Sequence, residues 1–277
     1  MMLSNKIKLV AISALIASCF NLTGCSISGQ KNSDRAYTYL EMRNMTSIYE
    51  RELVSNEKPI TTSTKEMRHS QCVMQNLTRA VNGAFAGLRT EWNVALLREC
   101  TVNAALLNTG VMISSACTDG LVNSQDELAY IFAVAFAHSL LEHDNERATI
   151  ALKEKNIKAS DNVAFSKYLR SLNGYEEFSK ILGINIKDKT PIPYTQKQVQ
   201  AADTLALQMM SAAGFNPSAA FIVWQNFNTK QDPRTAQYVK LNPHTDADLE
   251  HIANTIESVK SIYATARAKY GRVPLCR

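Results

Sequence analysis

The groups in this 277-residue sequence that could do chemistry are six cysteines, five histidines and 25 carboxylates. None of the cysteines has CxxC spacing, which argues against a redox dithiol or a zinc–thiolate site. The densest run of ionisable side chains starts at His138 and continues through Glu142-His143-Asp144-Asn145-Glu146-Arg147. It lies at the polar end of an otherwise apolar stretch. There His138 reads most simply as a buried, hydrogen-bonded histidine. Glu142, one turn on, suits a partner for it or for a lysine. His143, Glu146 and Arg147 read as helix-end charges, and His244 and His251 as surface residues. If these imidazoles acted together on a metal, the set would be His138, Glu142 and His244.

The elements that must hold these groups follow from the hydrophobic pattern. After Ser124 and Glu127, spaced as a capping box, Leu128, Ile131, Phe132, Val134, Ala135, Phe136, Leu140 and Leu141 cover nearly the whole circumference of a helix. Such a helix belongs in the centre of a domain. A second helix spans Gln196 to Ala213 and stops at Gly214. Asn216-Pro217 opens a third, with Ala220, Phe221, Val223, Trp224 and Phe227 on its inner face. Leu249, Ile252, Ile256, Val259 and Tyr263 mark the last one. Further helices are expected over Ala36–Leu53 and Thr64–Leu88, separated by a polar linker at Ser55–Thr64. Trp92–Leu97, Val102–Leu107 and Val111–Ser115 read as strands, the last two joined by a tight hairpin at Asn108-Thr109-Gly110. Residues 153–189 read as an insertion of weaker helices. The pattern as a whole is α+β: mostly helical, with a small sheet beside the buried helix.

Composition excludes other classes. Hydrophobic residues make up 45% and charged ones 20%, with Gly 10 and Pro 7, which rules out collagen, low-complexity disorder and a coiled-coil rod. The net charge of +5 is modest and spread out. With no basic stripe interleaved with aromatics, nucleic acid is not the expected partner.

Lys6 and Lys8 precede a short apolar run, Leu9 to Phe20, and then Leu22-Thr23-Gly24-Cys25. The run is too short to span a bilayer and reads as a secretory signal over residues 1–24. The last four residues resemble a bacterial lipoprotein box, in which the cysteine is lipidated. Ser26 after it resembles the outer-membrane address, facing the periplasm. The organisation expected is a signal peptide (1–24), a tether and N-terminal helical segment (25–63), and a main domain (64–277). Once Cys19 is removed and Cys25 carries lipid, an even number remains in an oxidising compartment. Four cysteines allow three pairings. Cys100 and Cys117 follow the first and third strands and are placed to meet, which leaves Cys72 for Cys276.

Several segments match one family in register. Val102-Asn103-Ala104 with its hairpin resembles a "VNAFALPGG" strand pair, and Asp126-Glu127-Leu128-Ala129 an "EDELA" helix start. His138, His143, Glu146 and Arg147 sit at the spacing of "HEIAHxxxRHxxER". Ala202-Asp203 with Gly214-Phe215-Asn216-Pro217 resembles "ExEAD…AGYDP". Over roughly residues 64 to 265 the chain resembles the zinc metallopeptidases of the HtpX and CAAX-prenyl-protease type, in particular their periplasmic lipoprotein branch (LoiP, YcaL and BepA). The resemblance implies a zincin-like fold, zinc as cofactor, and envelope or outer-membrane proteins as clients.

At the active-site positions the sequence departs from the family. Two histidines one helical turn apart would bind Zn²⁺, with a glutamate between them as general base. Here those places are Val134, Ala135 and His138. The third ligand falls on Val199, while Asp203, which the family uses to orient the site, is kept. The family's "HPxxxxR" falls on Asn242-Pro243, with Asp248 at the arginine. Zinc catalysis needs three protein ligands, an open water position and a base. The expectation is therefore a pseudopeptidase with no cofactor, His138 being a relict. It would hold extended polypeptides along the old substrate cleft. The alternative is an active zinc metalloendopeptidase with an unorthodox ligand set.

Overall fold

The computed structural model describes residues 35–60, 62–82, 92–153, 155, 157–158, 161–171, 173–184, 191–230, 232–271 and 276. The signal sequence, Cys25, the tether and the end of the helix expected to reach Leu88 lie outside them. Thr38 and Glu41 close a full capping box at the start of α1 (Tyr39–Glu57). This helix starts later and runs further than the apolar stripe suggested. It takes in Ser55 to Glu57, and the chain then forms a bridge from Ile60 to Leu96. α2 (Lys65–Asn82) follows.

β1 (Asn93–Leu97), β2 (Ala104–Leu106) and β3 (Val111–Ser115) form one sheet in the order β1-β3-β2. β1 runs parallel to β3, and β2 antiparallel to it with Ala105 opposite Ile113. The hairpin is as expected. The Leu107 amide donates to Val111 (3.0 Å), and that of Gly110, at φ +83°, to Leu107 (2.7 Å). Alternate residues of the sheet serve two cores. Leu96, Ala104, Leu106 and Met112 face one, and Leu97, Ala105, Leu107 and Ile113 the other.

After α3 (Thr118–Leu121) comes α4 (Gln125–Leu140), the axis of the first core. The Ser124 hydroxyl accepts the Glu127 amide, while the Glu127 carboxylate takes the Asn123 amide. From Glu127 to Ser139 every residue is buried. α5 (His143–Lys153) starts after a break at Glu142, whose φ is +58°. α6 (Asn162–Leu169) and α7 (Gly174–Ile181) occupy the expected insertion and form the second core with α1 and α5.

Thr195 and Gln198 box the start of α8 (Gln196–Ala213), and Gly214 ends it at φ +88°. α9 (Ala219–Lys230), α10 (Pro233–Leu241) and α11 (Asp246–Tyr270) complete the order. Phe221, expected on the inner face of α9, is 41% exposed, because Ala220, Val223, Trp224 and Phe227 already fill that face. Both disulfides form as strand placement suggested, with Cα separations of 4.9 Å for Cys100–Cys117 and 5.5 Å for Cys72–Cys276. Among the described residues no helix is long and apolar enough to cross a membrane.

Candidate functional site

α4 presents Val134, Ala135 and His138 to one spot, where a space of ≈ 10 Å³ separates them from β2, Leu182, Tyr194 and Leu241. A water molecule needs about this volume or more. Tyr194 is the plug. Its ring stacks on the His138 imidazole at 3.5 Å, and its hydroxyl donates to Asp144 at 2.9 Å. The Tyr194 amide is fixed to the Leu241 carbonyl at 2.9 Å. Val199, expected from the resemblance at the third-ligand position, packs with Tyr194 and Leu241.

Both nitrogens of His138 are engaged. Asn242 Nδ2 donates to the Tyr238 carbonyl (3.3 Å), so its Oδ1 faces His138 Nε2 (3.1 Å) and takes that proton. His138 Nδ1 is then an acceptor, and the Nδ1–H of His143 donates to it at 2.8 Å. Burial, with His143 and Arg147 nearby, holds the His138 pKa well below its usual range. Burial likewise lowers that of His143 to about 3, reinforced by Arg35 and Arg147. A neutral imidazole has one nitrogen lone pair, and here it accepts from His143, which leaves none for a metal.

Around this plug lie the buried charges of Asp144 and Arg147, 3.8 Å apart. Burial raises the Asp144 pKa to about 6, opposed by Arg147 and by the Tyr194 hydroxyl. The Arg147 guanidinium lies over the Tyr194 ring at 4.3 Å and donates to the carbonyl of Ile192 (2.7 Å). It thus braces the segment that carries Tyr194. His143 and Arg147, expected as helix-end charges, are therefore buried parts of the plug together with Asp144, while Glu146 stays partly exposed. At the break, Arg35 bonds both Glu142 (3.1 Å) and Glu146 (3.0 Å) and caps the Leu141 carbonyl. Burial raises the Glu142 pKa, against the pull of Arg35. Glu142 thus serves Arg35, not His138.

His244 corrects the expectation of a surface residue. Its side chain is 1% exposed and pairs with Asp203 at 2.7 Å. Its other nitrogen meets the Asn242 carbonyl at 2.8 Å. Tyr130 donates to the second oxygen of Asp203 (2.6 Å) and accepts from the Trp224 indole (2.7 Å). Trp224 stacks on His244 at 3.7 Å. Asp203 therefore orients a histidine, and among the described residues Asn242 links His138 to this second cluster. His251 is partly buried and bonds Thr204 at 2.8 Å. The ring of Trp224 and the carboxylate of Asp203, from other helices, hold His244 inside, and the sequence pattern near His244 gave no sign of it. Among the described residues no group of three His, Cys, Asp or Glu side chains is placed to hold a metal ion.

The open concavity lies elsewhere. A cavity of ≈ 930 Å³ at the start of α4 is lined by His69, Asp119, Ser124, Arg234, Arg267 and others. His69 Nδ1 bonds Asp119 there at 2.5 Å. Compared with models of known protein families the sequence matches none, and no curated protein matches it.

Proposed function

We infer that the chain is a metallopeptidase-like envelope lipoprotein with a zincin-like fold and no zinc chemistry. It would act as a pseudopeptidase that holds extended polypeptide clients beside β2. The observation that carries the reading is His138. It is the only imidazole on α4, both its nitrogens are spoken for, and Val134, Ala135 and Tyr194 close the remaining space. The ≈ 10 Å³ left at that spot has room for about one water at most, and the carboxylate that lines it, Asp144 of α5, already accepts the Tyr194 hydroxyl.

The client site follows from the pairing of β2. Leu107 bonds to β3, so Ala105 does too, and the backbone groups of Ala104 and Leu106 point to the outer edge. An extended chain could pair there by strand addition, which needs no metal. Leu182 and Tyr194 adjoin this edge, and a client strand displaces them. Outer-membrane proteins before folding are the client class, reached from a lipid anchor at Cys25.

Metal analysis and a protease assay test the first half. The purified protein should carry no stoichiometric zinc and should leave casein intact. Chelator-sensitive cleavage, abolished by His138→Ala, would instead establish the active metalloendopeptidase. Tyr194→Ala tests the second half. By clearing the β2 edge it should tighten binding of an unfolded outer-membrane protein; unchanged or weaker binding places the client elsewhere, with the large cavity as the next candidate.

A further inference from the structure

The three most exposed large apolar side chains among the described residues are Val163 (80%), Ile150 (75%) and Leu40 (70%). Hydrogen bonds from α1 and the residues just before it reach both elements that carry the other two. Asn44, one turn after Leu40, bonds to Asn162, the neighbour of Val163. The Ala36 amide donates to Thr149, the neighbour of Ile150, at 2.8 Å. The Tyr37 hydroxyl reaches the Ile157 carbonyl at 3.3 Å. The three side chains thus flank the points where α1, α5 and α6 are stitched together.

Each has a cation one helical turn further on, at the spacing that shares a face. Arg43 follows Leu40, Lys153 follows Ile150, and Lys167 follows Val163, all three exposed. Among the described residues these cations have no ion-pair partner. The nearby carboxylates are already occupied: Glu41 takes the Thr38 amide, Asp161 the Ala164 amide, and Glu146 holds Arg35.

Apolar tips alternating with unspent cations suit one kind of surface. The tips enter the boundary between headgroups and acyl chains, and the cations remain at the phosphates. The point where the chain joins the body supports the same occupant. Ten residue steps separate Cys25 from Arg35, a reach of at most about 35 Å. The anchored leaflet is therefore always within range of this corner. Tethering also turns a weak contact into an intramolecular one.

We propose that Leu40, Ile150 and Val163, with Arg43, Lys153 and Lys167, dock the body on the anionic phospholipid leaflet that holds the lipidated Cys25. The proposal rests on the lipoprotein reading and adds an orientation to it. The test uses the full acylated chain in vesicles of phosphatidylcholine, with or without 30% phosphatidylglycerol, where that percentage is a choice of probe. A polarity-sensitive fluorophore is placed by Val163→Cys, and by Ser261→Cys on α11 as a control. In anionic vesicles the label at 163 should shift to the blue and be quenched by brominated lipid, while that at 261 should not. Reversing the three charges (Arg43→Glu, Lys153→Glu, Lys167→Glu) removes an attraction of about fivefold per cation, so docking falls at least about a hundredfold. Chain bound to vesicles with a wet label at 163 overturns the docking face and leaves the anchor intact. Chain that never acquires lipid overturns the anchor first. A label at 163 buried equally without vesicles points to a protein partner and also overturns the proposal.

Discussion

Asp144 and His143 titrate against each other, and replacing Asp144 by asparagine should expose the acid sensitivity that it masks. Folded His143 stays neutral down to about pH 3, against 6.5 for an ordinary imidazole. As pH falls the unfolded chain takes up that proton first, at a cost to the fold of about 1.4 kcal/mol per pH unit below 6.5. By pH 4 the loss is about 3 kcal/mol. Asp144 has the opposite sign. Its folded carboxyl protonates near pH 6, against 3.8 in the unfolded chain. The folded state therefore binds this proton more tightly and regains about 2–3 kcal/mol between pH 7 and 4. His138, held low, adds to the loss, and Glu142, held high, adds to the gain. Asp144→Asn removes the largest compensating term in the plug. Between pH 7 and 4 the variant should lose about 2–3 kcal/mol more stability than the wild type. Urea unfolding at four pH values and constant ionic strength measures this. Trp224 is a suitable reporter because it is fully buried against His244 and Tyr238. At a slope of about 2–3 kcal/mol per molar urea, the midpoints should diverge by about 1 M. A pH-independent offset from the new amide facing Arg147 is compatible with the argument. Parallel curves across the whole range refute it.

Metabolic labelling with palmitate should mark the wild-type chain, and Cys25→Ala should abolish both the label and cleavage of the signal. Removing Cys72–Cys276, which closes a loop across a separation of 204 residues, should cost up to about 5 kcal/mol. Removing Cys100–Cys117, across 17 residues, should cost up to about 3 kcal/mol, both from loop-closure entropy; thermal unfolding of the two double-serine variants checks the order. Val134→His, Ala135→Glu and Val199→Glu together put three polar groups into a dry site. Without metal they should destabilise the fold by at least a few kcal/mol. Added zinc should return part of that as a higher Tm, with a 1:1 stoichiometry by calorimetry.

The parts of the fold that were legible in the sequence are those set by local pattern. α4 could be read because one helix is apolar all round behind Ser124, and the hairpin because Gly110 supplies a positive φ between two apolar runs. The pairing of Cys100 with Cys117 followed from strand ends alone. What escaped depends on contacts between distant segments. Tyr194 lies outside regular structure, and nothing in its neighbourhood indicates that it will stack on His138, 56 positions earlier by numbering. His244 has no apolar periodicity around it and is buried by Trp224 and Asp203 from other helices. The break at Glu142 is equally non-local, because Arg35, far upstream, satisfies the carbonyl and carboxylates freed there. At the candidate site the apolar residues Val134, Ala135 and Val199 could be read from the sequence, but the ring of Tyr194 packed against them could not.

The Arg35 clasp has a mechanical consequence. It is the first described residue of the body, and its guanidinium grips the far end of the central helix and the first turn of the next, not its own helix. Tension in the chain ahead of it is therefore delivered to the α4–α5 corner through several hydrogen bonds loaded together. A chain held only by the first turn of α1 would unzip one bond at a time under the same pull. The corner shares such a load among three groups, the Leu141 carbonyl and the carboxylates of Glu142 and Glu146.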